Sequence, residues 1–112
     1  MKKLPGHFAA FTEEYPEIAR AYEQLGAACH LGGPIAKKER ALIKLGISMG
    51  AWLEGAVHAQ VRKSLEAGAS AEEIRHVALL ALPTIGFPAS MAVLTWINDL
   101  LPQKKKASRK RR

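Results

Sequence analysis

The segment GAWLEGAVHAQV, Gly50 to Val61, is small and apolar except for Glu54, His58 and Gln60. Glu54 and His58 stand four residues apart, so on a helix their side chains share a face and can meet. A carboxylate beside an imidazole fixes which ring nitrogen carries the proton, and holds a proton donor and a proton acceptor side by side. A third ionisable group points the same way. Projection of the preceding helical pattern at ~100° per residue places Glu39 within its apolar arc, between Leu42 and Ile43. Burying three ionisable groups is costly without a purpose. We therefore expect His58, Glu54 and Glu39 to form one catalytic acid–base unit between the third and fourth helices. The competing possibility is a Glu–His contact that only satisfies itself in the core or ties two subunits together. One histidine and two glutamates on two helices do not make a specific metal pattern, so no metal is expected.

The elements that must position these groups are helical throughout. No strand-like alternation and no internal repeat is present, and Gly and Pro punctuate about six helical patterns. A short segment near His7 to Thr12 comes first. Pro16 opens a second helix whose apolar spacing is Tyr15, Ile18, Tyr22, Leu25 and Cys29, and LGGP (Leu31 to Pro34) breaks it. Cys29 is expected to fill the core on that stripe. The third helix runs from about Ala36 to Met49. Leu42, Ile43, Leu45, Ile47 and Met49 form its apolar side, and Lys37, Arg40, Lys44 and Ser48 its polar side, which makes Arg40 a surface residue. The fourth runs from about Leu53 to Ala67, before Gly68. It carries Val57, Val61 and Leu65 on the face of Glu54 and His58, with Gln60, Lys63 and Ala67 opposite. SAEE, Ser70 to Glu73, is a capping box that opens a fifth helix reaching about Ile85. GFP, Gly86 to Pro88, ends it and starts a sixth, with Met91, Leu94 and Ile97 along one side. The fifth helix is apolar nearly all round. A chain of 112 residues can hardly cover such a helix alone. A second copy of the chain is the most economical cover.

Composition bounds the remaining classes. The formal net charge of +7 belongs to the tail KKKASRKRR, Lys104 to Arg112, which holds seven of the seventeen Lys and Arg residues; the rest balance the ten Asp and Glu. We expect one helical domain over 1–102 and a solvated basic tail over 103–112. Only that tail offers a contact to nucleic acid, because the body shows no aromatic and basic face to join it. No apolar run approaches the ~20 residues of a membrane helix. No secretory signal pattern follows the basic start, and a lone cysteine cannot form an internal disulfide, so a cytoplasmic setting is expected.

The run GPIAKKERALIKLGISMGAWLEGAVHAQVRKSLEAGASAEEIRHVALLALPTIGFPAS, with YPEIARAYEQLG upstream, resembles the carboxymuconolactone decarboxylase family, which includes the alkylhydroperoxidase D-like proteins. The resemblance covers roughly Phe8 to Leu100. It implies a compact helical bundle of the alkylhydroperoxidase D-like type, assembled as a trimer or hexamer. The peroxidase branch places a Glu, then Cys-x-x-Cys, then a His four residues on. Glu39 and His58 match the Glu and His, but Ala51 and Glu54 stand at the cysteine positions. Dithiol peroxide reduction needs an attacking thiolate and a resolving thiol, so the antioxidant reading is disfavoured. The decarboxylase branch carries Glu-x-x-x-His, as in EGAVH. That likeness implies a cofactor-free lyase of aromatic-acid catabolism acting on a small carboxylated lactone, with His58 as proton donor and Glu54 and Glu39 orienting and recharging it. A non-catalytic oligomeric module is the third possibility.

Overall fold

The computed structural model describes residues 6–102, with side chains from Ala9 onward. The basic tail expected over 103–112 lies outside the described residues. Every element among the described residues is helical: α1 (Gly6–Glu14), α2 (Pro16–His30), α3 (Lys37–Gly50), α4 (Glu54–Glu66), α5 (Ala71–Ile85) and α6 (Phe87–Asn98). None of these helices is long and apolar enough to cross a membrane.

The chain divides after Ile35 into two compact units. In the first, α1 leads into α2 with the Phe11 and Tyr15 rings 5.2 Å apart, and Pro16 lies in the first turn of α2. Of α2 only Ala19 is buried; Tyr15, Ile18, Tyr22, Leu25 and Cys29 are exposed. The apolar spacing of this helix is thus real, but it covers no core of its own unit. The expectation that Cys29 fills a core is corrected accordingly.

The second unit is a four-helix arrangement in which α3 packs on α4 and α5, and α6 packs on α5 and α4. Its core is Leu45, Met49, Val57, Val61, Ala69, Ile74, Ala78, Val93, Ile97 and Leu101. Helix α3 buries Ala41, Leu45, Ser48 and Met49, a narrower arc than its apolar residues span. Ser48 belongs to the core side because its hydroxyl is satisfied within the helix, donating to the Lys44 carbonyl at 3.0 Å. Ile43 and Ile47 are left 48% and 65% exposed, and Arg40, expected at the surface, is half-buried. On α4 the buried positions are Val57, Val61 and Ser64, so Ser64 and not Leu65 continues the stripe.

Two helix ends use the same backbone device with different residues. After α4, Ala69 N–H donates to Ser64 and Gly68 N–H to Leu65, a Schellman closure with Gly68 at φ +100°. After α3, Leu53 N–H donates to Ser48 and Trp52 N–H to Met49, the same closure with Trp52 at φ 63°. A side chain in this left-handed conformation costs about 1 kcal/mol relative to glycine. Something else must therefore hold Trp52 there.

The capping box at α5 forms as expected. Glu73 N–H donates to Ser70 Oγ at 3.0 Å, and Ser70 N–H donates to Glu73 Oε1 at 2.9 Å. The other Glu73 oxygen accepts from Lys38 Nζ at 2.9 Å, tying the start of α3 to the start of α5. The Ser70 amide, then the Lys38 ammonium, hold the Glu73 carboxyl below its ordinary value of 4.5. A carboxylate depressed on folding stabilises the fold above its unfolded value and loses that contribution as pH falls through its folded value. Acid titration of stability should therefore show Glu73→Gln less stable than the parent near neutral pH, with the difference shrinking as pH falls below the unfolded value of 4.5 and through the lower folded value; thermal melts across that range measure it.

Candidate active site

Glu54 is the first residue of α4, where a carboxylate meets the positive end of the helix. His58 follows one turn later on the same face. Its partner was not foreseen from the sequence. His58 Nε2 lies 3.1 Å from Asp99 Oδ2, and Asp99 caps the C-terminus of α6. Donor atoms of Glu54, His58 and Asp99 all fall within 4.8 Å of one another. The cluster therefore sits between α4 and α6, not between α3 and α4. It is open to solvent, with the His58 and Asp99 side chains 26% and 50% exposed.

Glu39, expected as the third member, is exposed and is not one of the converging groups. The reason lies in the width of the apolar arc of α3. Glu39, Ile43 and Ile47 follow one another at i, i+4 and i+8, and the two isoleucines are exposed with it. The carboxylate lies on an outward apolar strip, while Ala41, Leu45, Ser48 and Met49 face the core. Asp99 could have drawn attention only as an acid at the C-terminal end of a helix, where the dipole disfavours negative charge. Its pairing with His58 is a long-range contact that helical periodicity does not encode.

Three contacts set the end of α6 where Asp99 can reach α4. Leu101 is buried in the core, two residues beyond Asp99. Arg75 on α5 donates through Nε to Asn98 Oδ1 at 3.0 Å and through Nη2 to the Pro102 carbonyl at 2.6 Å. The Trp52 ring tilts against Trp96 with centroids 5.0 Å apart. Trp96 lies one turn before Asp99 on α6, and Trp52 stands two residues before Glu54. The pair therefore joins the two chain segments that carry the carboxylates. Such a tilted aromatic pair contributes about 0.5–1.5 kcal/mol beyond area burial, enough to offset the backbone cost at Trp52.

Replacing Trp52 separates the two effects. Trp52→Ala loses the ring and keeps the left-handed penalty, whereas Trp52→Gly loses both the ring and the penalty. Chemical denaturation should find Trp52→Gly more stable than Trp52→Ala by about 1 kcal/mol. The reverse order would mean that the backbone at this position carries no strain.

No curated protein and no solved structure matches the chain. Residues 16–99 match the carboxymuconolactone decarboxylase family, from the first residue of α2 through Asp99. With three quarters of its length so matched, and with EGAVH at the start of α4, the chain belongs to the carboxymuconolactone decarboxylase family.

Proposed function

We propose that the protein is a cofactor-free acid–base lyase that decarboxylates a small carboxylated, unsaturated lactone. The observation that carries this reading is the His58 Nε2 contact to Asp99 at 3.1 Å, with Glu54 alongside on an accessible face. Ionised Asp99 can only accept, so the shared hydrogen belongs to His58 Nε2. Nδ1 is then the nitrogen that exchanges a proton with substrate. Loss of carbon dioxide breaks the bond from the ring carbon to the carboxylate carbon. The bonding pair enters the conjugated lactone, and that system accepts the proton from the imidazolium at a ring carbon. Asp99 holds the ring in orientation, and Glu54 passes a proton from solvent back to it between turnovers. The electron sink is the lactone itself.

The peroxidase alternative finds no support in the thiol inventory. Cys29 is the single cysteine of the chain, and it is exposed on α2 with no second thiol to resolve it. Assembly of copies is part of the proposal. On α5, Leu79 and Leu80 are 54% and 59% exposed, and Ile43 and Ile47 add apolar area on α3. Large apolar side chains left exposed on two packed helices are candidates for an interaction face. We assign residues 1–102 to one working domain of such an assembly, in a cytoplasmic setting.

Turnover of carboxymuconolactone in deuterated water should release one carbon dioxide and place one deuterium on the ring. His58→Ala should slow it by ~10²–10⁴-fold, and Asp99→Asn by about tenfold or more, with KM changed less than kcat. A parent protein that neither binds nor turns over the lactone, or a His58→Ala variant of full activity, sinks the assignment. Light scattering should give a mass of several chains at micromolar concentration, shifted toward one chain by Leu79→Glu with Leu80→Glu. A parent that is folded and single-chain under those conditions removes the assembly. Cys29→Ser should leave lyase turnover unchanged.

A further inference from the structure

The cluster that serves proton transfer also has the make-up of a metal site, and we propose that Glu54, His58 and Asp99 bind one divalent first-row transition-metal ion such as Zn²⁺. Two observations support this independently. The first is geometric. At metal–ligand distances of about 2.0–2.2 Å, neighbouring ligand atoms stand about 3.0 Å apart at a right angle and about 3.4 Å apart in a tetrahedron. The 3.1 Å between His58 Nε2 and Asp99 Oδ2 already has that span. Glu54 is exposed, and its carboxylate is within 4.8 Å of both.

The second observation is electrostatic. Two carboxylates converge here, and one of them, Asp99, stands at the negative end of α6, where the helix dipole disfavours an anion. No lysine or arginine is paired with Glu54 or Asp99 among the described residues. A dication balances the two carboxylates and uses the neutral imidazole as a third ligand. An imidazole with two carboxylates suits zinc, manganese or iron rather than copper(I), which prefers sulfur. Three protein ligands leave a coordination position open to water or to a substrate oxygen.

This inference does not rest on the lyase reading, and it adds a consequence to it. A metal ion takes the Nε2 lone pair, and the hydrogen held between His58 and Asp99 must leave. The ring can then no longer cycle through imidazolium. Zinc and the proton compete for one nitrogen, so the loaded protein should lose acid–base turnover while the stripped protein keeps it.

The test uses the full-length, tag-free protein stripped with a chelator and exchanged into metal-free buffer. Zn²⁺ is titrated at pH 7.5 by calorimetry and by competition with a chromophoric chelator. One ion per chain should bind with a Kd in the micromolar range or tighter. Glu54→Gln and Asp99→Asn should each weaken binding about tenfold or more, and His58→Ala should abolish it. Cys29→Ser should leave it unchanged, as should His76→Ala, which removes an exposed histidine of α5 that is not among the converging groups. Should His58→Ala fail to fold, the near-isosteric Asp99→Asn and Glu54→Gln variants decide the matter. No saturable binding below ~100 μM overturns the proposal, as does binding that survives Asp99→Asn with Glu54→Gln, or that disappears in Cys29→Ser. Lactone turnover measured in excess chelator separates the two readings. Turnover without zinc binding leaves the lyase and removes the metal site, whereas zinc binding without turnover under any condition leaves the metal site and removes the lyase.

Discussion

The position of α6 relative to the start of α4 is the constraint on which the site depends. Glu54 and His58 are local, fixed on one helix by their spacing. Asp99 is not, and it meets His58 only because the last turn of α6 is held from three directions. Leu101 enters the core, Arg75 binds both Asn98 and the Pro102 carbonyl, and Trp96 packs on Trp52. These contacts differ in kind, one apolar, one polar and one aromatic. Removing any single one should loosen Asp99 without unfolding the four-helix unit.

Trp52 shows how far this constraint reaches into the backbone. The closure after α4 places glycine in the left-handed position, as backbone sterics favour. The closure after α3 places tryptophan there, at φ 63°. A residue that breaks a local rule implies a compensating contact elsewhere, and here that contact is Trp96. The aromatic pair is thus part of what aligns the carboxylate of α4 with the carboxylate of α6.

The helices were legible in the sequence because their signals are local. The capping box at Ser70, Pro16 at the start of α2 and the glycine breaks fall where the structure has them. Which face of each helix is buried was less legible. Helix α3 is apolar over a wider arc than it buries, so projection placed Glu39 inside when it lies beside exposed Ile43 and Ile47. Ser48 and Ser64 were hidden for the converse reason, since a small hydroxyl can enter a core that hydropathy alone would deny it. Half of the candidate cluster, Glu54 and His58, follows from i, i+4 spacing. The other half, Asp99, depends on tertiary closure, and no periodicity within α6 announces it.

The exposed apolar residues and the exposed carboxylates raise the same question about what completes the molecule. Leu79, Leu80, Ile43 and Ile47 leave exposed apolar area that water does not favour, and the proposed assembly would cover it with another copy of the chain without further charge. Glu39 sits on that apolar strip, so assembly there must either seat its carboxylate at the rim or supply it with a hydrogen-bond donor. The carboxylate cluster needs a different completion. Glu54 and Asp99 both come within 4.8 Å of one imidazole, and a proton on that ring neutralises one charge where a dication neutralises both. Acid–base chemistry calls for the first arrangement and metal binding for the second. The same three side chains can hold either one, though not both at once.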